Sequence, residues 1–396
     1  MYFVDKKLTV LFTRFIKSLF VGLLFFVCMP LHADEELNLD SITDENFVIA
    51  SLLIYDQDTA PVSYLGHACF RMRCPMYGLD YCFGYTSEAK DNEELHMIMG
   101  DLHMGMIRWT TEECLRTNRE ARRGVTEYVL NLPVKAKQNL WRILDEQVER
   151  GFELLFDYEK RGCAHSSLGF IRESLDTMQM HTEWPEKLVG TTRRQAFYRC
   201  VDMDTWTASL IGFIFSGSGN LPALPYENAI MPQELVDVLR ASTVAGKPVI
   251  CGEGVRLVDG KKLTSFWFTP NMAAIVLLIL TIICSIWQKP YMTYVLLGIQ
   301  TVLGLLLCYL VFFSNLPFTE WNLLMLPLNP LPLLLWRWRK MWQVSYAFII
   351  LLWIIFMIIV PYPQTESYMI ILSCAICVSY IDINKIGGRI LIELKR

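Results

Sequence analysis

Five apolar segments crowd the last third of this 396-residue chain, at about 269–287, 292–313, 321–335, 344–360 and 368–381. They limit the fold more than any other feature. Stretches of this length and polarity must bury their surface in a bilayer or a bundle. The connections carry a charge bias. Lys289, Arg337, Arg339, Lys340, Lys385, Arg389, Lys395 and Arg396 fall on one side. The loops Ser314–Glu320 and Pro361–Ser367 hold no Lys or Arg, only Glu320 and Glu366. The positive-inside rule then predicts five spans, a cytoplasmic tail at 384–396 and an exported region before residue 269. Lys261 and Lys262 are the exception, set where they can meet lipid phosphates. Aromatic belts agree: Phe266, Trp267 and Phe268 outside, Trp336, Trp338 and Trp342 inside.

The third segment differs from its neighbours. As a helix it would reach only about 22 Å, short of a roughly 30 Å hydrocarbon core. It also carries Pro327, Pro330 and Pro332, with Asn322 and Asn329. A partly extended chain reaches further per residue, but its freed backbone groups need protein or water around them. The segment is therefore expected to line a cavity or pack inside the bundle; a re-entrant loop would put Arg337–Lys340 outside.

The other end reads as a cleavable export signal. Lys6, Lys7, Arg14 and Lys17 precede the short apolar run Leu19–Leu31, and Leu31-His32-Ala33 is a small-residue cleavage site. The net charge of −4 argues against nucleic acid as a partner. Residues 34–268 are then an exported domain, long enough for one sizeable core. Strands are predicted at 47–55, 62–72, 79–85, 126–132, 152–158 and 248–258, and helices at 92–99, 111–121, 134–150, 163–175, 205–215 and 232–241. Short strand connections imply an α+β domain with an antiparallel sheet.

Seven cysteines lie in this domain: Cys69, Cys74, Cys82, Cys114, Cys163, Cys200 and Cys251. In an oxidising compartment an odd count leaves one thiol free, and the other six can form three disulfides. Cys163 stands out because it follows Gly162 where a helix begins. A helix start lowers a thiol pKa, and its free N–H groups can hold an oxyanion. Spacing alone leaves open that Cys163 is paired and another cysteine is spare. A thiol nucleophile needs a neutral imidazole. His67 sits in a strand beside Gly66, with Arg71 four residues on; His96, His103 and His181 have blander surroundings. Cys163 and His165 find no further residues at metal-ligand spacing, so neither metal nor cofactor is expected.

The blocks Gly66-His67-Ala68-Cys69-Phe70-Arg71, Arg161-Gly162-Cys163-Ala164-His165-Ser166, Thr191-Thr192-Arg193-Arg194 with Trp206, Met231-Pro232-Gln233-Glu234-Leu235, and Trp321-Asn322-Leu323-Leu324 through Asn329-Pro330-Leu331 occur in an order of their own. Together they resemble the Lnb-type lipoprotein N-acyltransferase family, common in Bacteroidetes, over roughly residues 47–335. The resemblance implies a circularly permuted papain-like, NlpC-related domain with a core at about 47–180, His67 and Cys163 as the catalytic pair, and a five-span membrane domain at 269–383 in the inner membrane. It implies transfer of an acyl chain from a diacylglyceryl group to the α-amine of a lipoprotein's first cysteine, with lipoproteins and membrane lipids as partners. The chain departs from the family pattern at Arg161-Gly162 and at Cys82-Phe83-Gly84. A third, orienting residue is therefore open between Asp80 and Tyr85, with Arg71 in support. Two rival readings are a cell-envelope thiol peptidase or amidase, for which a single anchor would suffice, and a non-catalytic membrane scaffold with Cys163 in a disulfide.

Overall fold

Alternation of apolar residues builds the sheet that precedes the apolar helices. A computed structural model describes residues 47–380 apart from 59–62, 90, 157–161, 203, 216, 229–230, 262–265, 318, 335–337 and 360–365. The expected signal sequence, the acidic leader, the charged turn before Gly162 and the basic tail lie outside the described residues. Its strands are β1 (Ile49–Tyr55), β2 (His67–Cys74), β3 (Leu79–Ser87), β4 (His103–Thr110), β5 (Val125–Val129), β6 (Leu154–Leu155), β7 (Met180–His181), β8 (Thr243–Val244), β9 (Lys247–Pro248) and β10 (Val255–Val258). Seven form one sheet in the order β10-β5-β1-β2-β3-β4-β6, every pairing antiparallel. β7, β8 and β9 make a small second sheet.

The longer helices of this region are α1 (Glu93–Met99), α2 (Thr111–Glu120), α3 (Val134–Arg150), α4 (Cys163–Ser174), α5 (Arg193–Cys200), α6 (Trp206–Ile214) and α7 (Pro232–Ala241), with a single helical turn at Pro225–Asn228. One sheet face presents Ala50, Leu52, Ile54, Ala68, Phe70 and Met72 to Leu140 and Leu144 of α3, Leu168 and Ile171 of α4, and Leu235 and Leu239 of α7. Burying a side chain such as Leu52 or Phe70 contributes about 1.5–3 kcal/mol. The opposite face gathers Leu53, Tyr55, Cys69 and Cys82 around Cys114 of α2. The antiparallel α+β reading therefore holds. Three expected strands come out differently. β2 starts at His67 rather than Val62, because Ser63–Leu65 turn and Gly66 takes a φ of 83°. Among the described residues, the strand expected at 152–158 forms at Leu154–Leu155, with the Phe156 N–H donating on to the Leu102 carbonyl, and the one at 248–258 is interrupted by Gly252 with φ 81°.

The apolar region forms α8 (Pro270–Ile286), α9 (Tyr291–Phe312), α10 (Arg339–Ile359) and α11 (Ser367–Tyr380). Among the described residues, α9 is long and apolar enough to cross a membrane; residues 270–286, 344–359 and 367–380 form shorter apolar helices. The third predicted span is not a continuous helix. It contains one 3-10 turn at Leu323–Met325 and one helical turn at Leu331–Leu334. Its backbone is satisfied by protein, as its prolines require. Gln300 of α9 donates to the carbonyls of Pro327 and Asn329 at 3.3 and 3.1 Å, and Tyr346 donates to Pro327 at 2.9 Å. Gly304 lets this segment reach α9: a Cβ there would strike the Leu328 carbonyl.

The described residues belong to one compact unit, and polar contacts join the apolar helices to the sheet domain. Asn322 donates to the Phe213 carbonyl at 3.0 Å, Tyr368 to the Ser209 carbonyl at 2.6 Å, and Ser314 to the Ile98 carbonyl at 2.6 Å. Arg194 of α5 pairs with Glu366, and Tyr198 donates to the same carboxylate.

Candidate active site

Cys163 is the first residue of α4, capped by the extended backbone of Gly162. The helix start leaves N–H groups unpaired, and the Cys163 sulfur uses them. It meets the backbone N–H of Cys163 and Ala164 and, across the gap to β2, that of Ala68. Ala68 follows His67 directly, so the strand histidine and the helix thiol come to one end of the sheet. The predicted electrostatics need correcting. Burial pushes the thiol above its ordinary value, although those N–H groups and the Arg123 charge pull it down. Position at a helix start lowers the pKa less than burial raises it.

His67 opens β2 opposite Tyr55 of β1, their ring centroids 5.6 Å apart. Burial lowers its pKa to about 4, the Arg123 charge adds to this, and a hydrogen bond with the Tyr85 backbone opposes it. A bond that favours the protonated ring must come from an acceptor, so the Tyr85 carbonyl holds one ring nitrogen. Tyr85 thus meets His67 through its main chain; its own ring stacks on Phe170 at 6.3 Å.

Asp80 and Arg71 are not brought to His67. Arg71 binds both Asp80 oxygens, at 2.9 and 2.5 Å, and reaches Glu127 at 3.0 Å. Thr111 donates to Asp80 at 2.5 Å. Burial works to raise the Asp80 carboxyl, but the bonds from Arg71 and Thr111 outweigh it and hold it below the ordinary range. Asp80 precedes Tyr85 by five residues in β3, about 17 Å at roughly 3.4 Å per residue. This network ties β2, β3, β5 and α2 together.

Arg123 is a residue that sequence reasoning missed. It donates to the carbonyls of Asp56 at 2.8 Å and Ser63 at 3.4 Å, and its guanidinium lies 5.4 Å from the Tyr55 ring centroid. It favours the Cys163 thiolate and disfavours imidazolium at His67. The expected three disulfides are not formed: all seven cysteines of the domain are free thiols. Cys69, Cys82 and Cys114 instead cluster under Tyr55, whose hydroxyl lies 2.9 Å from the Cys114 sulfur.

An α+β domain with a thiol at a helix start and a histidine on the adjoining strand, followed by apolar helices, defines a membrane protein with a candidate thiol site. Residues 261–386 match the family model of the Lnb transmembrane domain, which supports assignment of the chain to an Lnb-type family. No curated protein and no solved structure matches the chain.

Proposed function

We propose that the chain is a membrane-bound, thiol-dependent lipoprotein N-acyltransferase. One observation carries the reading: the Cys163 sulfur meets the backbone N–H groups of Ala68, Cys163 and Ala164, and Ala68 directly follows His67 in β2. The Lnb-type membrane domain supplies the lipid context. In this reading residues 34–268 form a papain-like domain in the periplasm, and the apolar helices hold it at the outer leaflet of the inner membrane, with the C-terminus cytoplasmic.

The chemistry follows from the resting protonation states. Cys163 keeps its proton at neutral pH, and His67, neutral above about pH 4, is free to take it. As the sulfur attacks an ester carbonyl of the diacylglyceryl group, the proton passes to His67. The three N–H groups receive the oxyanion. The C–O bond then breaks, the glycerol oxygen recovers the proton from His67, and a Cys163 thioester remains. The α-amine of the substrate, with an ordinary pKa of roughly 7.7–8.0, attacks the thioester. A C–N bond forms and the C–S bond breaks as the neutral amine gives one proton to His67, which passes it to the departing sulfur and restores the thiol. Holding amine and ester in one bound molecule supplies much of the rate.

The test is mass spectrometry of the lipidated N-terminal peptide of a reporter lipoprotein, in cells that depend on this chain for N-acylation. The wild-type chain is expected to give the N-acylated form. Cys163→Ala and His67→Ala should leave the plain diacyl form. Normal N-acylation by both variants would overturn the assignment.

A further inference from the structure

A cleft of about 970 Å³ opens between the end of β1 and the starts of α6 and α7. Its inner wall includes Tyr55, the ring neighbour of His67. Its rim includes Trp206 and Phe266, exposed by 49% and 60%, at the approach to the first apolar helix. The cleft therefore runs from beside the candidate site to the expected lipid boundary.

Glu234, in the first turn of α7, also lines this cleft yet is only 3% exposed. Arg199 reaches one carboxylate oxygen, Oε1, at 3.4 Å. The other, Oε2, is buried with no N–H or O–H donor on it; burial raises this carboxyl, and the Cys200 thiol, a weak donor, also bonds to it. A buried carboxylate oxygen short of strong donors is costly, and a ligand that donates to it recovers that cost. Of the other charges lining the cleft, Lys187 pairs with Asp237 at 2.6 Å and Asp56 with Arg256, while Asp202 and Lys261 stand at its polar edge. Pro232, two residues before Glu234, would lie 3.7 Å from a Cβ at Gly66, next to His67. A group held by Glu234 is thus close to the strand that carries the histidine.

We infer that Glu234 receives the primary ammonium group of the acceptor, the α-amine of a lipidated N-terminal cysteine; this rests on the acyl-transfer reading above. An ammonium presents N–H donors and a charge to match that oxygen. Trp206 and Phe266 then lie where the acyl chains leave the cleft for the membrane.

The experiment measures binding by the full chain in detergent micelles, with Cys163→Ala blocking turnover. The probes are a synthetic diacylglyceryl-cysteine pentapeptide with a free α-amine and the same molecule N-acetylated. The free amine is expected to bind roughly tenfold tighter, the scale of one charge-assisted hydrogen bond. Adding Glu234→Gln should erase most of that preference. Equal binding of the two probes by the Cys163→Ala chain overturns the inference, and that comparison needs no change at Glu234. Competition by phosphatidylethanolamine as strong as by the lipopeptide would assign the oxygen to a lipid headgroup and also overturn it. Persistent N-acylation by Cys163→Ala in cells would defeat the thiol reading instead, so the two failures are distinguishable.

Discussion

Cys163 keeps its proton in the resting protein because burial outweighs its N–H neighbours and the Arg123 charge. Arg123 also acts against imidazolium at His67, so it favours one half of a thiolate–imidazolium pair and opposes the other. The arrangement favours proton transfer during attack over a preformed ion pair. Alkylation of Cys163 by iodoacetamide, followed by mass spectrometry of its own peptide, should therefore rise with pH through the alkaline range. Cys163 reactivity should be low at pH 6–7, and His67→Ala should change that resting profile little. A reactive plateau beginning below pH 7, lost in His67→Ala, would mean that the ion pair exists at rest. Following the single peptide matters, because Cys251 is exposed and Cys200 half-buried.

At the scale of elements, the broken segment after Trp321 shows how a proline-rich stretch packs among apolar helices. Its carbonyls are held by side chains: Pro327 by Gln300 and Tyr346, Asn329 by Gln300, while Asn322 donates to Phe213 at the end of α6. Gln300→Leu strands the Asn329 carbonyl and takes an acceptor from the Tyr380 hydroxyl, while Pro327 keeps Tyr346; it should cost about 1–3 kcal/mol for each buried group left unpaired. Asn322→Ala should cost a similar amount by freeing the Phe213 carbonyl and the Leu324 N–H. Thermal unfolding in detergent checks both, and unchanged midpoints would show that water or lipid headgroups satisfy these groups instead. Three prolines made the break legible in the sequence; Gln300 was not, because nothing local marks a helix glutamine that faces inward. The same contrast holds in the sheet domain. The helix starts at Val134, Cys163 and Pro232 were legible from punctuation and periodicity. β4 was missed because Gly105 dilutes the alternation of Met104 and Met106. α5 was missed although Thr192 and Gln195 form a capping box before it, a signal that could have found it. Cys163 could be singled out by its place at a helix start. The influence of Arg123 could not, since it depends on a tertiary approach to β1 and β2.

Across the whole molecule, the candidate site is only as well placed as the joint between the sheet domain and the apolar helices. Arg194 sits at the centre of that joint, with 6% of its side chain exposed, against Glu366 at 2%. It also donates to the carbonyls of Gly212 and Phe215, so one guanidinium ties α5 to the end of α6 and to the start of α11. Trp206, which opens α6 and lines the cleft, donates to the Phe268 carbonyl at 2.8 Å, so the cleft rim and the joint share a helix. Removing one partner of a buried pair leaves an uncompensated charge, a loss of roughly 3–5 kcal/mol, whereas replacing both with apolar residues is often far milder. Glu366→Leu and Arg194→Met alone should therefore lower the unfolding temperature more than the double variant does. Single losses that simply add in the double variant would show that the two residues are independent. If the pair also sets the geometry of the site, the double variant should fold yet N-acylate a reporter lipoprotein more slowly than the wild-type chain. Full activity in that variant would leave the remaining contacts, Asn322 to Phe213 and Tyr368 to Ser209, as sufficient to hold the sheet domain on the apolar helices.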